Sequence, residues 1–293
     1  MSVKSRRLSI LTQKEIDDLY GLPHFNDEDR CFYFDLSTDE MNLIGAVHTR
    51  SAAVHLALQL GYFKAKRQFF VYPLEAVQDD LIYIIQKYFP SIGLASVKEL
   101  SKPTRLEQQR IILQLYNFRN FDNTAKVELE QKAQRVAMLS THPIFILRET
   151  LKYLTNQRMV APGYTTLQDM VSRVVTGERR RITNLLTQTL TPMVKKQLDV
   201  LLLSDEGMYR ISLLKHEPKN FSYSELRQEV ERRKYFQPLY AFGQTFLSAN
   251  GLSNESIKYY ASMVLYYTVY KLRRMAVQTT RLYLLCYAFH RFR

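Results

Sequence analysis

One segment, His48–Gln68 ("HTRSAAVHLALQLGYFKAKRQ"), constrains the fold more than any other. Ala53, Leu56, Ala57 and Leu60 recur at i, i+3, i+4 and i+7, the spacing of one buried face of an α-helix. A second row steps by three or four: His48, Ser51, His55, Gln59, Tyr62 and Lys66. Every member of that row can donate or accept a hydrogen bond, and no acidic residue occurs between Glu40 and Glu75. Such a stripe suits a nucleic-acid groove; the alternative is an ordinary solvated helix face.

The rest of the chain extends the helical reading. Nine Gly and nine Pro in 293 residues leave long helix-compatible runs. Thr12 with Glu15 and Ser37 with Glu40 have capping-box spacing. They predict helix starts on either side of a short helix within 25–36. Helices follow at 48–64 and 74–88, with an extended "FFVY" (69–72) between them and 91–104 as a connector. Further helices are expected at 105–117, 124–139, 143–158, 165–176, 178–190, 192–203 and 222–236. The "SDEG" stretch reads as a turn, "MYRISLLKHEP" as a short extended piece, and 253–293 as two helices. "APG" (161–163) is the clearest breaker. The expected fold is all-α, an array of small helical bundles: 1–92, 93–162 and 163–293, the last a basic region. The final residues carry no stop signal. They read either as a docked helix or as the start of one that is cut short.

Charge narrows the function. The net charge is +13, and it is uneven. Residues 1–150 hold 19 Lys/Arg against 18 Asp/Glu, whereas 151–293 hold 22 against 10. A basic half points to a polyanion, nucleic acid first and an anionic membrane surface second. The Tyr-rich segment "IKYYASMVLYYTVYKLRR" (257–274) fits a membrane surface or a packed helix with tyrosines at its rim. No uninterrupted apolar run approaches the ~20 residues of a spanning helix. The N-terminus lacks the apolar core of a signal peptide, so a cytoplasmic protein is expected. Cys31 and Cys286 sit among apolar neighbours and read as buried free thiols.

No catalytic constellation is visible. "HRFR" (290–293) matches the H-x-x-R box of tyrosine recombinases, but that chemistry needs a tyrosine further along the chain. His142 and His216 have no metal-ligand spacing, and there is no phosphate-cradling Gly loop. The basic clusters carry more. Arg179, Arg180 and Arg181, with Lys195 and Lys196, give five positive charges and no negative one between Glu178 and Asp199. Lys271, Arg273 and Arg274 lie where no acid follows Glu255. The first helix adds Arg50, Lys64, Lys66 and Arg67. Cations supply phosphate contacts, and Gln, Asn, Arg or His on a groove-bound helix reads bases. "GERRRITNLLTQTL" (177–190), with Thr183, Asn184, Thr187 and Gln188, is a second helix of that character.

The order of several segments resembles the N-terminal region of transposases of the Tn-three family. They are "LTQKEIDDLYGLP", "FDLSTDEMNLI" and "HLALQLGYFKAKRQF", where Ala57, Leu58, Gln59, Leu60, Tyr62, Phe63 and Lys64 match and Leu56 replaces the usual Phe. "ILRETLKYLTNQRMVAPGYTTLQDMVSRVV", which includes Arg173, and "TRLYLLCYAFHRFR" continue it, so the likeness runs through essentially the whole chain. The resemblance implies the DNA-binding half of such an enzyme, which grips the terminal inverted repeats of the transposon. The family's Mg-dependent Asp-Asp-Glu site belongs to a later domain with no counterpart here. This chain is therefore expected to need no cofactor and to cut nothing. Arg50, Ser51, His55, Gln59, Lys64, Lys66, Arg67, Arg173, Arg179, Arg180, Arg181, Asn184, Lys195, Lys196, Arg273 and Arg274 are the candidate DNA-binding residues. The expected partners are double-stranded DNA at transposon ends, with a homodimer or full-length transposase besides, and no membrane. The alternative is a truncated, catalytically dead transposase that inhibits the full-length enzyme by binding it.

Overall fold

A computed structural model describes residues 8–205, 207–215 and 217–293. The basic start of the chain (1–7), Glu206 and His216 lie outside the described residues. The fold is helical: α1 (Gln13–Tyr20), α2 (Asp27–Tyr33), α3 (Thr38–Gly45), α4 (Arg50–Lys66), α5 (Gln78–Tyr88), α6 (Lys102–Tyr116), α7 (Asn123–Leu139) and α8 (Pro143–Asn156). Then come α9 (Tyr164–Thr189), α10 (Pro192–Val200), α11 (Ile211–Lys215), α12 (Tyr223–Ala249), α13 (Asn254–Tyr266), α14 (Val269–Arg274) and α15 (Val277–Phe292). A two-residue hairpin, β1 (Ser204–Asp205) with β2 (Met208–Tyr209), is the one sheet among the described residues.

The chain forms two compact units. Unit 1 is residues 1–129 and 150–168; unit 2 is 130–149 and 169–293. The expected breaks at 92 and near 162 are therefore corrected. Val97, Ile112 and Leu113 share one core with α4, so no boundary separates them from the first bundle. Residues 161–163 lie inside unit 1, and the chain passes into unit 2 within α9.

In unit 1, α2, α3, α5 and α6 surround α4. Residues Ala52 to Phe63 of α4 are all buried. Full capping boxes start α1 (Thr12, Glu15), α2 (Asn26, Asp29) and α3 (Ser37, Glu40). Gly61 is there because Phe34 lies against it: a Cβ would stand 2.2 Å from the Phe34 ring. Leu8 and Leu11 tie the incoming segment to the first two turns of α9, through Gln168 Nε2 to the Leu8 carbonyl (2.9 Å) and the Leu11 amide to the Tyr164 hydroxyl (3.2 Å).

In unit 2, α15 is the central helix, buried from Leu282 to Phe289 and packed by α10, α12, α13 and α14. The 277–292 segment is thus docked along its length. Four sequence expectations change here. α9 runs unbroken through Gly177, because one glycine costs a helix only about 1 kcal/mol and Val174, Val175, Glu178, Ile182 and Leu186 bury one continuous face. α12 runs through Pro238 to Ala249, since Leu239, Gly243, Phe246 and Leu247 are buried in the second half. Residues 211–215 form a helical turn, not an extended piece, and 253–293 hold three helices.

Candidate nucleic-acid interface

The polar stripe of α4 does not face solvent. Ser51 Oγ accepts from the Lys98 amide at 3.0 Å and donates to its carbonyl at 3.3 Å. His55 Nε2 donates to the same carbonyl at 3.0 Å, which leaves Nδ1 to accept from the Tyr72 hydroxyl at 3.4 Å. Burial pushes the His55 pKa down, so the ring is held neutral. Gln59 Nε2 donates to Gln108 Oε1 (2.5 Å), and Gln108 Nε2 donates to the Ala52 carbonyl (2.7 Å). The stripe is therefore an internal polar seam that fastens residues 98–108 to α4. His55 and Gln59 are 2% and 3% exposed and are corrected from base readers to core residues.

The cations of α4 are also engaged within unit 1. Lys64 Nζ lies 2.6 Å from the Asp35 carbonyl and 3.2 Å from the Glu40 carboxylate. Burial pushes Glu40 up. The Tyr116 hydroxyl, the Ser37 amide and Lys64 outweigh that effect and leave its carboxyl below the usual range. Lys66 Nζ donates to the Asp18 carbonyl. Arg67 ends α4 in the left-handed region (φ 54°), its guanidinium over the rings of Phe63, Tyr116 and Phe118. The stretch is acid-free only along the chain: Glu40 comes from α3, and Asp80 from α5 accepts from the Tyr62 hydroxyl at 2.7 Å. Arg50 alone of this group is exposed with no side-chain partner among the described residues. Cys31, expected buried, is exposed, whereas Cys286 is buried.

Unit 2 has the opposite character. It holds 23 Lys/Arg and 12 Asp/Glu, against 18 and 16 in unit 1. Six of its acids are paired with an arginine or lysine. Arg181 forks Glu178 and Arg281 forks Asp199, each through two bonds of 2.8 Å. Glu229 is met by Arg232, Arg233 and Arg291. Glu130 lies 3.6 Å from Arg173, Glu231 pairs with Lys234 and Glu255 with Lys258. Arg173 is thus committed to an ion pair, and Arg179 is half-buried and donates to the Tyr283 hydroxyl at 3.3 Å.

The exposed cations of unit 2 without an acidic partner among the described residues include Arg135, Arg148, Lys219 and Arg227 and a further set on α9, α10 and α14. Arg180 on α9, Lys195 and Lys196 on α10, and Lys271, Arg273 and Arg274 on α14 are exposed, and none has an acidic partner among the described residues. Arg273 and Arg274 are oriented by rings, with Arg273 over Tyr209 (6.0 Å) and Arg274 over Tyr270, to whose hydroxyl it donates at 2.8 Å. α10 and α14 meet around a cavity of about 150 Å³ lined by Leu198, Leu202, Leu272, Arg273 and Arg281. Asn184, Thr187 and Gln188 are exposed on the same side of α9 as Arg180, while Thr183 is buried. Among the described residues no three His, Cys, Asp or Glu side chains cluster to hold a metal ion, and no helix is long and apolar enough to cross a membrane.

A family model described as Domain of unknown function (DUF4158) matches residues 10–174, more than half of the chain. The chain belongs to that family. DUF4158 occurs as the N-terminal region of Tn-three-family transposases, in agreement with the resemblance of the opening segments. No curated protein matches the chain. The DUF4158 match covers the α4 core and ends before Arg180, so the unneutralised cations of α9, α10 and α14 all lie beyond it.

Proposed function

We propose that this DUF4158 protein is the DNA-binding N-terminal region of a Tn-three-family transposase and holds duplex DNA at the terminal inverted repeats without cutting it. The observation that carries the reading is the separation of charge. Six of the twelve acids of unit 2 are paired with an arginine or lysine, while Arg180, Lys195, Lys196, Lys271, Arg273 and Arg274 stand exposed on α9, α10 and α14 with no acidic partner among the described residues. Such a surface gives affinity for phosphate without sequence information. A cytoplasmic location, on DNA, belongs to the same proposal.

The test is fluorescence anisotropy of the full chain with a duplex carrying the transposon-end repeat and with a shuffled duplex, titrated across salt. Five phosphate contacts, one for each of Lys195, Lys196, Lys271, Arg273 and Arg274, give a slope of about −4.5 in log K against log salt. Affinity then falls roughly 500-fold between 50 and 200 mM salt. Absence of binding at 50 mM salt would remove the nucleic-acid reading.

A further inference from the structure

We infer that the exposed ridge Arg180–Asn184–Gln188 of α9 enters the major groove and reads purines, with Arg180 on a guanine and Asn184 and Gln188 each on an adenine. The inference rests on the DNA-binding reading above and names the element that would supply its selectivity.

The ridge is set by helical geometry. Its three residues step by four, so on a helix of 3.6 residues per turn they lie within about 80° of arc. They span about 12 Å along the axis, the length of three or four stacked base pairs. All three are exposed, as are Gly177, Arg181 and Thr187 beside them. The opposite face of the same helix is anchored in the core by Ile182 and Leu186, which are 1% and 0% exposed. The ridge is therefore presented by a rigid element, not by a loop.

The residue types match what a groove displays. Arginine donates two bonds to guanine O6 and N7, and asparagine and glutamine pair two-pronged with adenine N6 and N7. On this ridge the neighbouring polar groups are satisfied internally. Thr183 Oγ1 donates to the Arg180 carbonyl (3.0 Å), Thr187 Oγ1 to the Thr183 carbonyl (2.8 Å) and Thr189 Oγ1 to the Leu185 carbonyl (3.0 Å). The Asn184 and Gln188 amides and the Arg180 guanidinium have no partner among the described residues. Glu178, the only acid from 170 to 198, is 9% exposed and forked by Arg181, so no carboxylate opposes phosphate here. Asn and Thr are poor choices for an exposed helix interior, where Ala, Glu or Lys would form helix better. α10 starts three residues after α9 ends and carries Lys195 and Lys196, placed to hold flanking phosphates.

The experiment is selection of binding sites by the full chain from a duplex pool with a randomised centre, followed by anisotropy on the selected duplex and on a random one. Three variants are compared with the parent: Asn184→Ala, Gln188→Ala and Arg180→Lys. Each alanine variant should lose about 5- to 150-fold in affinity for the selected duplex and none for the random one. Preference should relax at one A·T pair in each case. Arg180→Lys keeps the charge and the salt slope but loses the two-pronged fork, so preference at a G·C pair should fall. Alanine is the better helix former at both positions, so lost selectivity with unchanged helicity by circular dichroism cannot be put down to unfolding. Unchanged base preference in all three variants overturns the ridge assignment. So does salt-dependent binding that yields no selected sequence, and this second result leaves the DNA-binding reading standing. No binding at low salt overturns both.

Discussion

Substituting Gln59 by alanine should unfold the protein more easily and leave its DNA affinity alone. Gln59 lies in the core at 3% exposure, and its amide donates to Gln108 Oε1 at 2.5 Å. Removing it strands a buried acceptor on Gln108, at a cost of ~1–3 kcal/mol. It also removes a methylene and the carboxamide and leaves space behind them, worth about another 1–2 kcal/mol. Gln59 Oε1 is itself buried without a partner, so its loss returns part of that cost. The net expectation is a loss of roughly 2–3 kcal/mol. With a urea slope of ~2–3 kcal/mol/M, the unfolding midpoint measured by circular dichroism should fall by about 1 M. Gln59→Met, which keeps the volume and loses only the bond, should lose about half as much. Anisotropy at a urea-free, low-temperature condition should give the parent Kd for both. A Gln59→Ala protein with parental stability and weakened, less selective DNA binding would refute the interior assignment of the α4 stripe.

His55 should make stability depend on pH. Its folded pKa is lowered by burial, so the unfolded chain binds a proton that the folded one rejects; stability is full above the unfolded value of about 6.5 and falls as pH drops below it. His55→Gln should flatten the urea midpoint between pH 7 and pH 5, and an unchanged slope there counts against the neutral, hydrogen-bonded ring. Gly61→Ala drives a methyl into the Phe34 ring, 2.2 Å away, and should cost ~1–3 kcal/mol by urea unfolding, partly recovered by adding Phe34→Leu. The double variant Lys195→Ala, Lys196→Ala should weaken binding to every duplex alike and reduce the salt slope by about 1.8, with the selected base sequence unchanged. A changed base preference would move these lysines from phosphates to base edges.

Much of the architecture can be read from local chemistry. The capping boxes of α1 and α3, the apolar spacing of α4 and the Pro-led start of α10 all act within one or two turns, so adjacent residues suffice to specify them. The all-helical class and the excess charge of the second half are likewise properties of composition and order. The division into units is not local. Val97, Ile112 and Leu113 join the α4 core across about 40 residues or more of intervening chain, and no pattern near position 92 announces it. The same holds for Gly177 and Pro238, which break a helix in isolation but not one whose buried face continues on both sides.

The stripe of α4 is where sequence and fold part most clearly. By sequence alone it has helical spacing, hydrogen-bonding side chains and no acid nearby, and the ridge of α9 has the same description. A hydrogen-bonding row is equally suited to a buried polar seam and to a solvent-facing surface, because in both settings each donor needs an acceptor. The sequence determined that both helices carry such a row. Only the tertiary structure decided that the α4 row is closed by Lys98, Tyr72 and Gln108, while the α9 row meets no protein partner among the described residues. Those partners lie 17 to 49 positions along the chain, and no local rule brings them to α4; the packing of a whole core does.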